Sequence, residues 1–270
     1  PKQIPLSFAQ QRLWFIDQVS SMAGLYNMSV VFKMKGELSR QVLQQAFQQL
    51  TNRHEILRTE IYQIDGMPFQ RVLEKVDFTV TEVDLSTQQL NQNALNKLIR
   101  EEAIKPVELT TAPLFRVKLI TTKSDESLLL VILHHIISDG WSMDIIASEI
   151  SEFYNAYLEA RKPQLPMLVS QYADFALWQK NWIKQGVLDK QANFWKQTLG
   201  NVPDFLQLPV DKTRPAIPTY QGGYYRFHLS NQVLKSLKQL AEEQGCTLYM
   251  VLLASYLVLL FRYTNQESIT

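Results

Sequence analysis

The feature that most constrains the fold is the segment LFRVKLITTKSDESLLLVILHHII, residues 114–137. Two runs rich in β-branched and apolar residues are separated by the polar turn Ser124-Asp125-Glu126, a pattern typical of two consecutive strands. The second run, LLLVIL, is apolar throughout, which is typical of a strand covered on both faces. We therefore expect it to be a central strand of its sheet.

The flanking segments predict a fold that mixes helices and strands. Ser7 and Gln10 form a capping box ahead of a first helix, and Ser39 caps a second. Asp65-Gly66 separates two β-rich runs and predicts a tight hairpin. Further strands are predicted at 26–38, 78–85 and 224–229. Further helices are predicted at 87–105, at 142–160, in a pair broken near Gly186, at 230–243 and at 250–261. The fold class is therefore α/β.

Composition argues against several classes of function. The net charge of +1, from 27 basic and 26 acidic residues, predicts neither nucleic acid nor a membrane surface as a partner. Cys246 is the only cysteine in the sequence, so no internal disulfide is possible within it, and the residues before the first helix lack the pattern expected of a signal peptide. We expect a cytoplasmic location. The apolar run Met250–Phe261 is shorter than the roughly 20 residues of a membrane-spanning helix.

The chemistry is concentrated in HHIISDGWS, residues 134–142, directly after the apolar strand. An α/β sheet presents ligand-binding groups at such strand ends, and histidine moves protons near neutral pH. Gly140 allows close approach of a substrate or a positive φ. Trp141 and Ser142 begin the next helix, whose amides can face a polar group.

Two other interpretations of the histidine pair stay open at this point. One histidine can be buried and the other solvated without any catalytic role, and Asp-Gly is also an ordinary turn signal. A zinc site would need a third ligand at a familiar spacing, and the sequence offers none. We therefore predict no metal and no cofactor held by the chain itself.

Four segments in fixed order decide between these interpretations. They are SFAQQRLW (7–14), RHEILRT (53–59), HHIISDG (134–140) and YADFALW (172–178). Together they resemble the core motifs of the condensation domains of nonribosomal peptide synthetases. HHxxxDG alone is less specific, because related acyltransferases share it.

The resemblance implies a fold similar to chloramphenicol acetyltransferase, in which each lobe is an α+β two-layer sandwich. Residues 1–200 would form the N-terminal lobe, 201–223 a linker or crossover, and 224–270 the beginning of a C-terminal lobe that is truncated. The implied reaction is peptide-bond formation between a donor thioester and the amine of an acceptor aminoacyl thioester. Both substrates would be carried on phosphopantetheine arms of partner carrier proteins, next to adenylation and thiolation domains.

The resemblance also implies roles for individual residues. His135 matches the active-site histidine, either as a general base or as a group that orients the amine. His134 is expected to pack structurally. Asp139 is expected to orient the loop through a salt bridge to Arg58, or failing that to Arg53. For both arginines a solvated helix end is the alternative.

The motif details favour the subtype that joins two L-amino acids, since the histidine pair, DGWS and the YN segment at residues 26–27 are intact. Two alternatives remain. The first is a related acyltransferase that moves an acyl group from a thioester to a free amine or alcohol. The second is a module that recruits carrier proteins without catalysis. We expect the 270 residues alone to be inactive, because the resemblance places the active site between two lobes.

Overall fold

The computed structural model describes residues 3–19, 24–88, 91–202, 205–213, 215, 222–223 and 225–269. Within these ranges the chain forms two compact units, residues 1–185 and 186–270, and the boundary falls in a short π-helical turn, Ile183–Val187. The predicted division into 1–200, 201–223 and 224–270 stays a prediction.

The first unit contains two sheets and five helices among its described residues. Its strands are β1 (Ile4–Pro5), β2 (Asn27–Lys35), β3 (Thr59–Ile64), β4 (Met67–Val72), β5 (Thr81–Asp84), β6 (Phe115–Lys123) and β7 (Glu126–His134). Its helices are α1 (Phe8–Val19), α2 (Arg40–Arg53), α3 (Gln92–Ile104), α4 (Gly140–Leu158) and α5 (Tyr172–Trp182), with a 3₁₀ turn at Glu55–Arg58. One sheet has the order β1-β4-β3 and the other β2-β7-β6-β5. The predicted α/β fold class is confirmed.

Strand β7 lies in the interior of the four-stranded sheet, as its sequence predicts. It pairs antiparallel with β2 on one side and with β6 on the other, and β5 joins β6 in parallel. Its residues 129–134 are all buried, and Leu130 and Leu133 are fully inaccessible. The register places Asn27 opposite His134, so the end of β2 fixes the end of β7.

The two faces of this sheet are covered by different helices. Leu129, Val131 and Leu133 belong to the main core together with Leu43 and Phe47 of α2 and apolar residues of α4. Side chains alternate between faces along a strand, so Arg116 and Lys118 of β6 point the other way. Both bind α3: Lys118 pairs with Glu102 at 2.8 Å, and Arg116 donates to carbonyls at the end of the helix.

The hairpin between β3 and β4 confirms the prediction made from Asp65-Gly66. Both turn residues have positive φ, 50° and 75°, as a two-residue hairpin of the primed type requires. Glycine takes such a φ without steric cost, whereas aspartate tolerates it less well. The turn therefore fixes the β3–β4 register locally.

A buried carboxylate joins α4 to the end of α2. Glu149 is 7% exposed and accepts from Arg53 Nε at 3.2 Å through each of its oxygens. Its Oε2 also lies 2.6 Å from Nε2 of His54. RHEILRT thus connects to the helix that follows the histidine loop.

The second unit contains three helices among its described residues, α6 (Leu188–Leu199), α7 (Asn231–Glu243) and α8 (Leu248–Thr264). Ser230 and Thr247 cap α7 and α8 through their side-chain oxygens. None of the described helices is by itself long and apolar enough to cross a membrane. Helices α7 and α8 are long and apolar enough only when they are taken together, and the chain bends by 106° between them.

The predicted strand 224–229 is wrong over its described residues, 225–229. They are exposed and pair with no other strand in the part of the chain that is described. A β-rich sequence becomes a strand only where a neighbouring strand accepts its backbone hydrogen bonds. Residue 224 lies outside the described residues.

We expect Glu149→Ala to lower the free energy of unfolding by about 3 kcal/mol, because it leaves the Arg53 guanidinium, on a side chain only 17% exposed, without its counter-charge. Urea denaturation of the wild-type chain and the variant measures the change. Glu101→Ala is the control. Glu101 is 60% exposed and pairs with Lys97 at 3.8 Å, and exposed ion pairs of this kind contribute little to stability. Equal losses in the two variants would contradict the role given to Glu149.

Candidate active site

His134 is the last residue of β7 and is a buried, neutral side chain. It is 3% exposed, and its Nδ1 accepts a hydrogen bond from the amide of Ile136 at 3.1 Å. Burial, and secondarily the neighbouring His135, lower its pKa to about 4. His134 is therefore uncharged at pH 7 and shapes the turn that follows it, as the predicted structural role requires.

His135 is exposed, and its ring is held in one tautomer. Its Nδ1 lies 2.7 Å from the carbonyl oxygen of Ser138, and its backbone amide donates to the carbonyl of Tyr26 at 2.8 Å. A carbonyl oxygen only accepts, so Nδ1 carries the hydrogen. In the neutral ring Nε2 then has a free lone pair, which can accept a proton or a hydrogen bond from an amine.

Asp139 caps α4 and does not form the predicted ion pair. Its Oδ1 accepts from the amide of Ser142 at 2.9 Å and from the hydroxyl of Ser142 at 2.6 Å, while its own amide donates to that hydroxyl at 3.1 Å. The hydrogen bonds from Ser142 are the main reason that the pKa of Asp139 is lowered. Asp139 still orients the loop, but through a local capping box.

The two arginines proposed as partners of Asp139 are bound elsewhere. Arg53 pairs with Glu149, as described above. Arg58 donates to the carbonyl of Leu73 and to Glu55 Oε1 at 3.4 Å. The prediction of a salt bridge from Asp139 to Arg58 or Arg53 is therefore wrong. The solvated alternative is wrong as well, because the two side chains are only 17% and 15% exposed.

The residues after Asp139 have different surroundings. Gly140 is the first residue of α4, and its φ lies outside the left-handed region, so of the two alternatives given for it the positive φ is wrong. The space beside its Cα is open, which fits close approach of a substrate. Trp141 is 77% exposed and lines an open cavity of about 340 Å³ with Ile145 and Pro166. The Ser142 amide is engaged by the cap.

Three residues that support the loop were not assigned this role from the sequence. Gln10 is buried, and its Nε2 donates to the carbonyl of Ile136 at 3.3 Å while its Oε1 accepts from the amide of Ser7 at 3.0 Å. Ser138 orients the His135 ring, and Tyr26 receives the His135 amide. Gln10 lies within the first motif, so its motif position was the available signal. The backbone carbonyl of Tyr26 could not be found in this way, because every residue has such a carbonyl.

Within the ranges that the structure describes, no group of three or more His, Cys, Asp or Glu side chains is placed to hold a metal ion. The groups gathered at the site are one exposed imidazole, one buried imidazole, a helix cap and an open glycine. This arrangement suits proton acceptance from, or hydrogen bonding to, a substrate that approaches His135 from solvent.

Comparisons with known proteins agree on one family. The family model described as "Condensation domain" matches residues 1–270. A linear gramicidin synthase of Brevibacillus parabrevis is 38% identical over 270 residues, which are 99% of this chain and 5% of that protein. Gramicidin S synthase 2 of Aneurinibacillus migulanus is 38% identical over 265 residues, 98% of this chain and 6% of that protein.

Solved structures show the same fold. The X-domain from teicoplanin biosynthesis, in complex with OxyB, superposes with a TM-score of 0.83 at 26% identity, over 97% of this chain and 57% of that chain. The first condensation domain of the calcium-dependent antibiotic synthetase has a TM-score of 0.80 at 19% identity, over 98% of this chain and 62% of that chain. The chain thus spans a small part of the synthases and somewhat more than half of these structures.

We expect the stability of this chain to fall between pH 6.5 and pH 4 because of His134. An unfolded histidine has a pKa near 6.5 and the folded His134 one of about 4, so acid protonates the unfolded state first. The loss from this group reaches about 3 kcal/mol at pH 4. His134→Asn, whose amide oxygen can replace Nδ1 as acceptor, should remove this component. Urea denaturation at pH 7 and pH 4.5 tests it, and parallel pH dependences of the two proteins would contradict it.

We expect Asp139→Ala to lower the free energy of unfolding by about 1 kcal/mol, the usual cost of removing an N-cap. Asp139→Asn should lose less than about 0.5 kcal/mol, because asparagine caps equally well. The comparison separates a cap from an ion pair, since asparagine replaces the first function and not the second. A large loss in Asp139→Asn, measured by urea denaturation, would contradict the capping role.

Proposed function

Because the chain belongs to the condensation domain family, we propose that it forms peptide bonds in nonribosomal peptide biosynthesis. A donor aminoacyl or peptidyl group on a carrier thioester is transferred to the amine of an acceptor aminoacyl thioester. The site residues in this proposal are His135, supported by His134 and Ser138, and the α4 N-terminus with Asp139 and Gly140.

The observation that carries the proposal is the tautomer of His135. Nδ1 donates its hydrogen bond to the carbonyl of Ser138, so in the neutral ring the lone pair is on Nε2 of an exposed side chain. An α-amine has a pKa of about 8, so at neutral pH a minor fraction is already uncharged and nucleophilic. His135 then has only to orient this amine and to receive its proton as the new bond forms.

The amine nitrogen attacks the thioester carbonyl carbon, forming a C–N bond and a tetrahedral intermediate while Nε2 of His135 takes one amine proton. The C–S bond breaks, the amide carbonyl is restored, and the proton passes to the departing thiolate of the donor arm. The products are an amide on the acceptor arm and a free thiol on the donor arm.

The partners in this proposal are the donor and acceptor carrier proteins, each with a phosphopantetheine arm, and neighbouring adenylation and thiolation domains. The support is that the chain matches small parts of large synthases. Both amino acids joined are proposed to have the L configuration, and the protein is proposed to act in the cytoplasm. Nucleic acid and membrane are not among the proposed partners.

A second candidate function is recruitment of another protein without catalysis. One observation favours it: a structure with a TM-score of 0.83 is a domain bound to OxyB. Against it, the histidine pair is intact here and the His135 ring is already oriented by Ser138. A related acyltransferase that uses a small acceptor has the same site and is distinguished by its product.

The test is condensation by the intact synthetase with donor and acceptor carriers loaded with amino acids, followed by mass spectrometry of the acceptor carrier. We expect a dipeptidyl mass with the wild-type protein and at least a hundredfold slower formation with His135→Ala, as for loss of a general base. His228→Ala, a change at an exposed histidine outside the motif, is the matched control and should keep wild-type rates.

Other results of this experiment would favour one of the two alternative functions. Acyl transfer to a free small molecule, with an unchanged acceptor carrier, would replace condensation by the acyltransferase function. Carrier binding without any transfer would favour recruitment. Equal rates for His135→Ala and wild type would remove His135 from the mechanism.

A further inference from the structure

The C-terminal end of α3 is bound by a side chain from the beginning of β2. Asn27 Nδ2 donates to the carbonyl of Ala103 at 2.8 Å and to that of Lys105 at 2.7 Å. The last carbonyls of a helix have no partner within it, and this end of the helix carries partial negative charge. Asn27 therefore acts as a side-chain cap for a helix that is distant in sequence.

Arg116, on strand β6, donates further hydrogen bonds to the same end of α3. Its Nη2 donates to the carbonyl of Glu102 at 2.8 Å and also to that of Lys105, and its Nη1 donates to Pro106 at 3.1 Å. Desolvation is the main reason that the pKa of Arg116 is lowered. The α3 end is thus a partly buried cluster of carbonyls, to which Asn27 contributes two of the donated hydrogen bonds.

The segment that carries Asn27 lies tightly against the same helix end. Gly24 has φ 74°, and a Cβ added there would lie 2.1 Å from the carbonyl oxygen of Ile104. Only glycine fits this position, for both conformational and steric reasons. The amide of Asn27 donates to the carbonyl of Gly24 at 3.0 Å, so residues 24–27 form a turn closed on itself and docked on α3.

This turn supplies the acceptor for the backbone of His135. The Tyr26 carbonyl, one residue before Asn27, accepts from the His135 amide at 2.8 Å. Asn27 itself stands opposite His134 in the antiparallel register. A shift of the turn therefore moves the point from which His135 leaves the sheet.

We propose that Asn27 is a positioning residue for His135, acting by anchoring the turn 24–27 to the end of α3. An amide is suited to this task because its single nitrogen has two hydrogens, one for each carbonyl. Aspartate has no donor, and its charge would face the negative end of the helix. The catalytic consequence rests on the function proposed above, whereas the structural anchor does not.

The first test is amide hydrogen exchange of the chain labelled with ¹⁵N-histidine, which has only four histidines and hence four backbone signals. His54 and His135 are both protected by backbone hydrogen bonds, to Leu50 and Tyr26 respectively. In Asn27→Ala we expect exchange at His135 to be about ten times faster, with His54 unchanged.

Asn91→Ala is the matched control. Asn91 caps the opposite end of α3 through the amide of Ala94 at 2.9 Å, so the same substitution weakens the same helix without touching the turn. It should leave His135 exchange within twofold of wild type. An increase of less than threefold in Asn27→Ala, or an equal increase in Asn91→Ala, would overturn the proposal. If Asn27→Ala does not fold, Asn27→Ser, which keeps one donor, replaces it with the same threefold limit.

The second test is condensation by the intact synthetase carrying each variant. Asn27→Ala should lower kcat about tenfold with the KM for the carriers unchanged, since on this proposal Asn27 positions His135 and does not bind a carrier, and Asn91→Ala should keep kcat within twofold. Unchanged kcat in Asn27→Ala would overturn its positioning role. If the wild-type protein has no condensation activity, the proposed function is wrong. The amide exchange experiment then still tests whether Asn27 anchors the turn 24–27 to α3.

Discussion

The hydrogen bonding of β7 on both of its edges determines the geometry of the histidine loop. β2 and β6 pair with it along nearly its whole length, and its last residue, His134, lies opposite Asn27 and donates its amide to the carbonyl of Leu114 at 3.0 Å. A one-residue change of register would exchange the two faces of the strand. The buried apolar residues that specify this register thereby also specify where the histidine loop leaves the sheet.

This division of the histidine pair is the one that the motif resemblance implied, with His134 packed and His135 in the active site. Alternation of side chains does not explain it, because residues 129–134 of β7 are buried on both faces of the sheet, whereas His135 is exposed where the strand has ended. The apolar run before them predicts the strand, and the structure buries His134 and exposes His135. The central position of β7, the hairpin at Asp65-Gly66 and the caps at Ser7 and Ser39 were predictable because each is indicated by residues close together in the sequence.

Long-range partners were not predictable in this way. Asp139 was expected to bind Arg58 or Arg53, but Ser142 lies three residues away and offers both an amide and a hydroxyl. A partner within one helical turn adds almost no loop-closure entropy, whereas the arginines lie some 80 residues earlier. Arg53 in turn finds Glu149, whose position on the inner face of α4 depends on how two helices pack. The predicted strand 224–229 was wrong over its described residues, 225–229, for a similar reason, since no sequence pattern shows whether a neighbouring strand is available for pairing.

The burial of His134 has a consequence for its neighbour. When His135 accepts a proton, a second imidazolium beside it would oppose that charge. Burial keeps His134 neutral down to about pH 4, so no such repulsion arises at neutral pH. The neutral ring still contributes, because its Nδ1 accepts from the amide of Ile136 and fixes the turn in which Ser138 orients His135. The first histidine thus supports the second by being uncharged, and the strand that buries one exposes the other.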